Sequence, residues 1–189
     1  MRTKILAAAV EILHRKGAGA LTVRSVSAAA GCSTTGVYTW FGGKNGLVEA
    51  IFVDGFQRFG AAQRNASRDA DSGTSQLSRY ANAYRDWALA NPTHYMVMFG
   101  KAVPDFEPSD RALATAADTF DHLVAAAQEA MRIAGNTDDP AEVAHHLWAG
   151  VHGYVSLELA GMDRAATLPA DRDGHFQSGI LRLQRGCDI

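Results

Sequence analysis

The segment Thr22-Val23-Arg24-Ser25-Val26-Ser27-Ala28-Ala29-Ala30-Gly31-Cys32-Ser33-Thr34-Thr35-Gly36-Val37-Tyr38-Thr39-Trp40-Phe41-Gly42-Gly43-Lys44 decides how the whole chain is read. It has the spacing of a helix-turn-helix: a helix of about two turns, a glycine turn at Gly31 and a second short helix. Thr22 is placed to cap a helix from Val23 to about Ala30, with Val23, Val26 and Ala30 on its buried face. Ser33 is placed to cap the next, from Thr34 to about Trp40. Ala28 to Ala30 supply small side chains where two helices approach, and Gly31 supplies the tight backbone of the turn. Val26 and Val37 are expected to lock the pair, leaving Thr34, Thr35 and Thr39 on the outer face.

That arrangement has a specific chemistry. In a helix-turn-helix the N-terminal residues of the second helix meet base edges in the major groove of DNA. Ser33, Thr34, Thr35, Gly36 and Thr39 are therefore candidate DNA contacts, with Gly36 allowing close backbone approach. Hydroxyls bond several bases, so these residues predict contact rather than a preferred sequence. Thr22, Tyr38 and Lys44 suit phosphate oxygens, since each can donate and Lys44 stands at a helix N-terminus where the dipole favours an anion.

The charge distribution agrees once the chain is divided. Over 189 residues the formal charge is only −2. Residues 1–50, however, hold six Lys or Arg against the two acids Glu11 and Glu49, a net of +4, and the remainder carries −6. Asymmetry of that kind points to a nucleic-acid contact at one end. Apolar residues at 47% and charged residues at 20% are ordinary globular values. The start has no apolar run with a cleavage site, so no secretory signal is expected, and no stretch of eighteen apolar residues suggests a membrane span. Cys32 and Cys187 lie too far apart to form a zinc knuckle or a disulfide framework, and a reduced cytoplasmic location is expected.

Elsewhere, alanine-rich segments with 3.6-residue periodicity predict an all-α chain of about nine helices. The predicted helices run from Arg2 to Lys16, over the two just described, from Lys44 to about Arg68, over 75–90, from Thr93 to about Phe99, from about Ser109 to Ala134, from Pro140 to about Ala160, and from about Gly174 to Arg185. Asp69 to Gly73, residues 100–108 and Gly161 to Asp173 are expected as loops. The architecture implied is a three-helix DNA-binding domain over 1–46 and a larger helical bundle over 47–189.

Thr22 at the start, Ala30-Gly31 before the turn, Ser33 opening the second helix, then Tyr38-Thr39-Trp40-Phe41 and Lys44 together resemble the DNA-binding segment of the TetR family of transcriptional regulators. The resemblance extends over residues 2–56. It implies that Thr34, Thr35 and Gly36 face bases while Thr22, Tyr38 and Lys44 hold phosphates. Two departures stand out: Ser27 replaces a common alanine, and no basic arm precedes the first helix, so either the arm is dispensable or the start codon lies further upstream. Leu147-Trp148-Ala149-Gly150-Val151-His152-Gly153-Tyr154 is similar to a C-terminal subclass marked by a Trp followed by His-Gly.

The resemblance implies a homodimer through the last two long helices, two-fold symmetric on a roughly palindromic double-stranded operator. The helix from Ala141 to Ala160 has only Glu142 and Glu158 as charges, which predicts burial on more than one side. Gly150 and Gly153 would permit close helix approach, and the Phe176, Ile180 and Leu183 stripe suits the same interface. Tyr84, Trp87, Tyr95, Met96, Phe99, Phe120, Leu123, Trp148 and His152 are the candidates to line a small-molecule effector site. An apolar or aromatic effector is preferred, its binding shifting the helix 44–68 and relieving repression, as the family does. An aromatic stripe at helical spacing is also what a plain core presents.

Other readings weigh less. Glu142-x-x-His145 is half of a di-iron motif and lacks its second pair. Asp118 and His122 are one turn apart, a spacing common by chance, and neither a His-Glu-x-x-His nor a Gly-x-Ser-x-Gly signature occurs. No metal, cofactor or catalytic residue is therefore expected. A thiol switch at Cys32 competes with simple packing of the turn, and a helical protein-interaction module without DNA binding competes with the intact Thr22, Tyr38 and Lys44 set.

Overall fold

The computed structural model describes residues 1–68, 75–162 and 171–189. Among these residues the chain is all-α, with α1 Arg2–Lys16, α2 Val23–Ala30, α3 Thr34–Phe41, α4 Lys44–Ser67, α5 Gln76–Ala90, α6 Pro92–Phe99, α7 Asp110–Ala134, α8 Pro140–Leu159 and α9 Arg172–Gly186. One turn of 3₁₀ helix, Ala18–Ala20, joins α1 to α2 and has no signal in the periodicity. The loop expected from Asp69 to Gly73 lies outside the described residues, as does the 163–170 part of the loop expected from Gly161 to Asp173. Helix α9 starts two residues earlier than its apolar stripe suggests, because Asp171 caps it by accepting from the Gly174 amide.

Two compact units form. The first joins Met1–Arg58 with Asn91–Ala116, and the second joins Phe59–Ala90 with Ala117–Ile189. Helices α4 and α7 each contribute residues to both. No helix among the described residues is long and apolar enough to cross a membrane.

The first unit is built on Ile5, Ala9, Leu21, Val26, Val37, Leu47 and Ile51, all fully buried. Each large aliphatic side chain buried in this way stabilises by roughly 1.5–3 kcal/mol. On α2 the buried face is Val26, Ser27 and Ala30, whereas Val23 is only half-buried and Ala28 and Ala29 are exposed. Ser27 tolerates burial because its hydroxyl donates to the Arg24 carbonyl of its own helix. The close approach expected of Ala28 to Ala30 thus rests on Ala30 alone. Further along, Phe52, Phe56 and Phe99 stack in sequence at 4.8 and 5.4 Å between ring centroids, and Tyr95 joins Phe99 at 5.0 Å.

The second unit has a core of Leu77, Tyr80, Ala126, Ala127, Met131, Val143, Ala144 and Leu147, against which Phe120, Leu123 and Leu183 pack. Helix α8 buries one stripe, Val143, Ala144, Leu147, Val151 and Val155. A Cβ on Gly150 would collide with Leu183 of α9, and one on Gly179 with the Tyr154 ring of α8. Gly150 therefore admits a neighbour from its own chain, while Gly153 opens onto free space. Phe176 and Ile180, expected at a subunit interface, are instead buried within this unit at 3% and 2% exposure. The Arg85 guanidinium of α5 lies over the Phe176 ring, 5.1 Å from its centroid.

Candidate nucleic-acid interface and effector cluster

Local chemistry sets the angle and ends of α2 and α3. The Thr22 hydroxyl accepts from the Ser25 amide at 3.0 Å, and the Ser25 hydroxyl accepts in return from the Thr22 amide at 3.1 Å. Serine here takes the place that Glu or Gln fills in the usual reciprocal cap. Gly31 then turns the chain with φ 65 and ψ 41, a left-handed conformation that glycine adopts without steric penalty. Ser33 caps α3 by accepting from the Gly36 amide at 3.1 Å. At the far end, Gly46 of α4 lies so close to Phe41 that a Cβ would strike the Phe41 carbonyl oxygen. This contact joins the end of α3 to the start of α4, and nothing in the sequence reading singled out Gly46.

The candidate DNA residues divide by what their hydroxyls already do. Thr34, Thr35 and Tyr38 are exposed, Tyr38 to 57%, and make no side-chain hydrogen bond among the described residues. The Ser33 oxygen receives an amide and keeps its own proton to donate. Thr39 is exposed but its hydroxyl donates back to the Thr35 carbonyl at 2.9 Å, and the Thr22 hydroxyl is within 3.0 Å of the Ser25 hydroxyl. Both are therefore engaged in holding their helices. Gly36 is open: a Cβ there would meet only Ser33 Oγ at 3.6 Å and Cys32 atoms at 3.9 Å.

Tyr38 packs beside the start of α4. The Tyr38 ring lies 3.5 Å from where a Gly43 Cβ would stand, immediately before exposed Lys44 at the start of α4. A helix N-terminus presents amide N–H groups without partners in the helix, so this corner combines a cation, a phenol and backbone donors. Trp40 of α3, 52% exposed, was not among the sequence candidates.

Six of the nine effector candidates fall in the second unit: Tyr84, Trp87, Phe120, Leu123, Trp148 and His152. The Tyr84 hydroxyl and His152 Nδ1 are 3.0 Å apart, and His152 Nε2 is 3.3 Å from Ser156 Oγ. Trp148 stands 6.0 Å from Phe120 and 6.2 Å from His152, while Phe59 packs edge-on against Tyr84 and Trp87 at 4.9 and 5.3 Å. Burial holds the His152 imidazole below the usual histidine value, so it stays neutral. Tyr95, Met96 and Phe99 belong to the first unit, and Met96 is 44% exposed.

Arg85 anchors this cluster from beside Tyr84. Its Nε and second terminal nitrogen hold Glu158 at 2.7 and 2.8 Å, and its other terminal nitrogen holds Asp173 at 2.7 Å, linking α5, α8 and α9. The hydrogen bonds to Glu158 keep the guanidinium charged well above even its usual range. Among the described residues no three His, Cys, Asp or Glu side chains come together to hold a metal, and Glu142, His145, Asp118 and His122 are exposed.

A capped two-helix reader with free donors at its tip, followed by a long helix carrying a basic N-terminus, defines a helix-turn-helix DNA-binding regulator. The family model described as bacterial regulatory proteins of the tetR family matches residues 5–51, and that described as the tetracyclin repressor-like C-terminal domain matches residues 77–183. The chain belongs to the TetR family of transcriptional regulators, which are not enzymes. An HTH-type transcriptional regulator of Mycobacterium tuberculosis, Rv1816, is 28% identical over 85% of this chain and 82% of its own. A protein of unknown function from a Rhodococcus species shares the fold with a TM-score of 0.84 and 25% identity over 100% of this chain and 95% of its own. The TetR family regulator PfmR from Thermus thermophilus shares the fold at a TM-score of 0.70 and 18% identity, over 96% and 97% of the two chains.

Proposed function

We propose that this regulator is a homodimeric repressor that holds a roughly palindromic operator through α3 and releases it when a small, apolar or aromatic effector binds. The observation that carries the DNA half is the set of exposed, uncommitted donors of Ser33, Thr34, Thr35 and Tyr38 along α3 and of Lys44 at the start of α4. On this reading Thr34, Thr35 and Gly36 face bases, Tyr38 and Lys44 hold phosphates, and Thr22 and Thr39 chiefly maintain the helices that present them. Residues 1–46 form the reading head, 47–189 carry effector binding and dimerisation, and the protein acts in the cytoplasm.

The Tyr84, His152 and Trp148 cluster is the effector site. It supports an apolar ligand because burial holds its histidine toward the neutral form and Arg85, next to Tyr84 in the chain, is occupied by two carboxylates. Helix α4 carries Lys44 at one end and Phe59 toward the other, so a ligand that moves Phe59 acts on the phosphate contact through a continuous helix. A thousand-fold preference for the released state supplies roughly 4 kcal/mol. For the dimer, Leu157 of α8 and Leu181 of α9 are the apolar side chains left at the surface, 53% and 47% exposed.

A gel shift on the DNA upstream of the protein's own gene tests the proposal. The expected result is a retarded band that weakens steeply with salt, as phosphate-dominated binding requires. No band even at low salt would overturn it.

A further inference from the structure

Gln63 on α4 is 5% exposed, and its side-chain oxygen Oε1 has no hydrogen-bond partner among the described residues. Among the described residues of the second unit no other buried side-chain oxygen or nitrogen stands in that state. An amide oxygen stripped of water and given nothing in return is costly, and folded proteins keep few of them. Its location ties it to the cluster above. Gln63 follows Phe59 by one helical turn, and the Phe59 ring packs on Tyr84 and Trp87 of α5. It also follows by three residues Gly60, whose missing Cβ would stand 3.3 Å from Thr119 Oγ1 of α7. The amide therefore sits on the α4 face shared with α5 and α7.

The neighbouring polar groups are already engaged. Tyr84, His152 and Ser156 bond in a row, and Arg85 is tied to Glu158 and Asp173. We propose that the effector is a neutral molecule presenting a hydroxyl or N–H donor to Gln63 Oε1, its body lying among the aromatic rings around Tyr84 and Trp87. The inference rests on the effector site proposed above and adds its chemical class and Gln63 as a specificity residue. A carbonyl oxygen only accepts, so its complement is a donor. A carboxylate would bring a second acceptor to the same point. Arg64, half-buried and next to Gln63 in the chain, with its guanidinium by Gly60, is the cation that could draw an acid instead, which makes acids the competing arm of the test. The bond forms only with ligand in place, so it favours the bound arrangement over the empty one, as any effector must.

The test measures thermal unfolding of the full-length protein with phenol, 1-naphthol and 2-naphthol, each beside its methyl ether, and with benzoic and naphthoic acids. A naphthol is expected to bind about tenfold or more tightly than its ether, because a site built around a hydrogen bond rejects the analogue that lacks it. Gln63→Leu is expected to erase that preference and to raise the melting temperature of the ligand-free protein by about 3 °C, since it removes an unmet polar group. Gln63→Met serves as the second variant and is expected to behave alike. Ethers binding as tightly as alcohols, an acid binding most tightly, no naphthol binding, or variants that lower the ligand-free melting temperature would each overturn the inference. A parallel gel shift separates the two ideas. Naphthol binding that depends on Gln63 but leaves the DNA band unchanged sinks the release mechanism alone; a normal band with no naphthol binding sinks this inference alone.

Discussion

The Tyr84 hydroxyl lies 3.0 Å from His152 Nδ1, joining α5 to α8 across 68 residues of sequence. That single bond selects one ring nitrogen of His152 for α5 and leaves the other for Ser156, 3.3 Å away on the same helix. Tyr84→Phe deletes it without changing ring size. The expected loss is about 1 kcal/mol of stability, the usual net value of such a bond. Urea unfolding checks this, and an unchanged midpoint would show that the pair contributes nothing.

Acid should weaken the fold through two histidines. Burial pushes both His152 and His94 below the usual histidine value of 6.5, and Asp54 only partly restores His94. Above about pH 6.5 the imidazoles are neutral in folded and unfolded chains alike, and nothing is lost. As pH falls below that value the unfolded chain takes up protons more readily, so stability drops. His152→Gln and His94→Gln should each flatten the fall in stability between about pH 7 and pH 5. A variant with the wild-type slope would remove that histidine from the account.

Arg85 offers a contrast between buried and exposed partners. Glu158 is 14% exposed and held by two bonds, whereas Asp173 is 82% exposed. Arg85→Met strands a buried carboxylate and should cost about 3–5 kcal/mol. Asp173→Asn breaks a solvent-screened pair and should cost at most about 1 kcal/mol. Equal losses from the two variants would mean that burial is not what makes this ion pair matter.

Two glycines in the reading head should behave oppositely. Gly46→Ala forces a methyl group into the Phe41 carbonyl and should disrupt the packing of α3 on α4, abolishing DNA binding with a loss of helical signal on heating. Gly36→Ala meets only ordinary contacts, so the fold should tolerate it. DNA affinity that nevertheless falls for Gly36→Ala would then report a backbone brought close to the bases. Unchanged affinity would place Gly36 away from the DNA.

The base and phosphate roles proposed above should separate by specificity. Tyr38→Ala and Lys44→Ala should weaken binding to every sequence and reduce its salt dependence, while Thr35→Ala should change the ranking of operators. Uniform loss from all three, measured on a panel of operator variants, would dissolve the distinction.

The reading head was legible because its determinants are local. Thr22, Ser33 and Gly31 act on amides within five residues of themselves, and the apolar spacing of Val26 and Val37 needs no distant partner to be recognised. The helix bounds follow for the same reason. The second unit was legible only as helices. Which candidate residues meet depended on pairings such as Tyr84 with His152 and Arg85 with Glu158 and Asp173, separated by 68, 73 and 88 residues. Periodicity reports that a side chain is buried but not what it is buried against. It therefore gave no sign that Phe176 and Ile180 are buried inside their own unit, and it passed over Gln63 and Gly46 entirely. Sequence alone determined the helices and the caps of α2 and α3, since short-range hydrogen bonding and spacing specify those. Only tertiary structure decided which buried polar groups found partners, because that depends on which distant turns the packing brings within 3 Å.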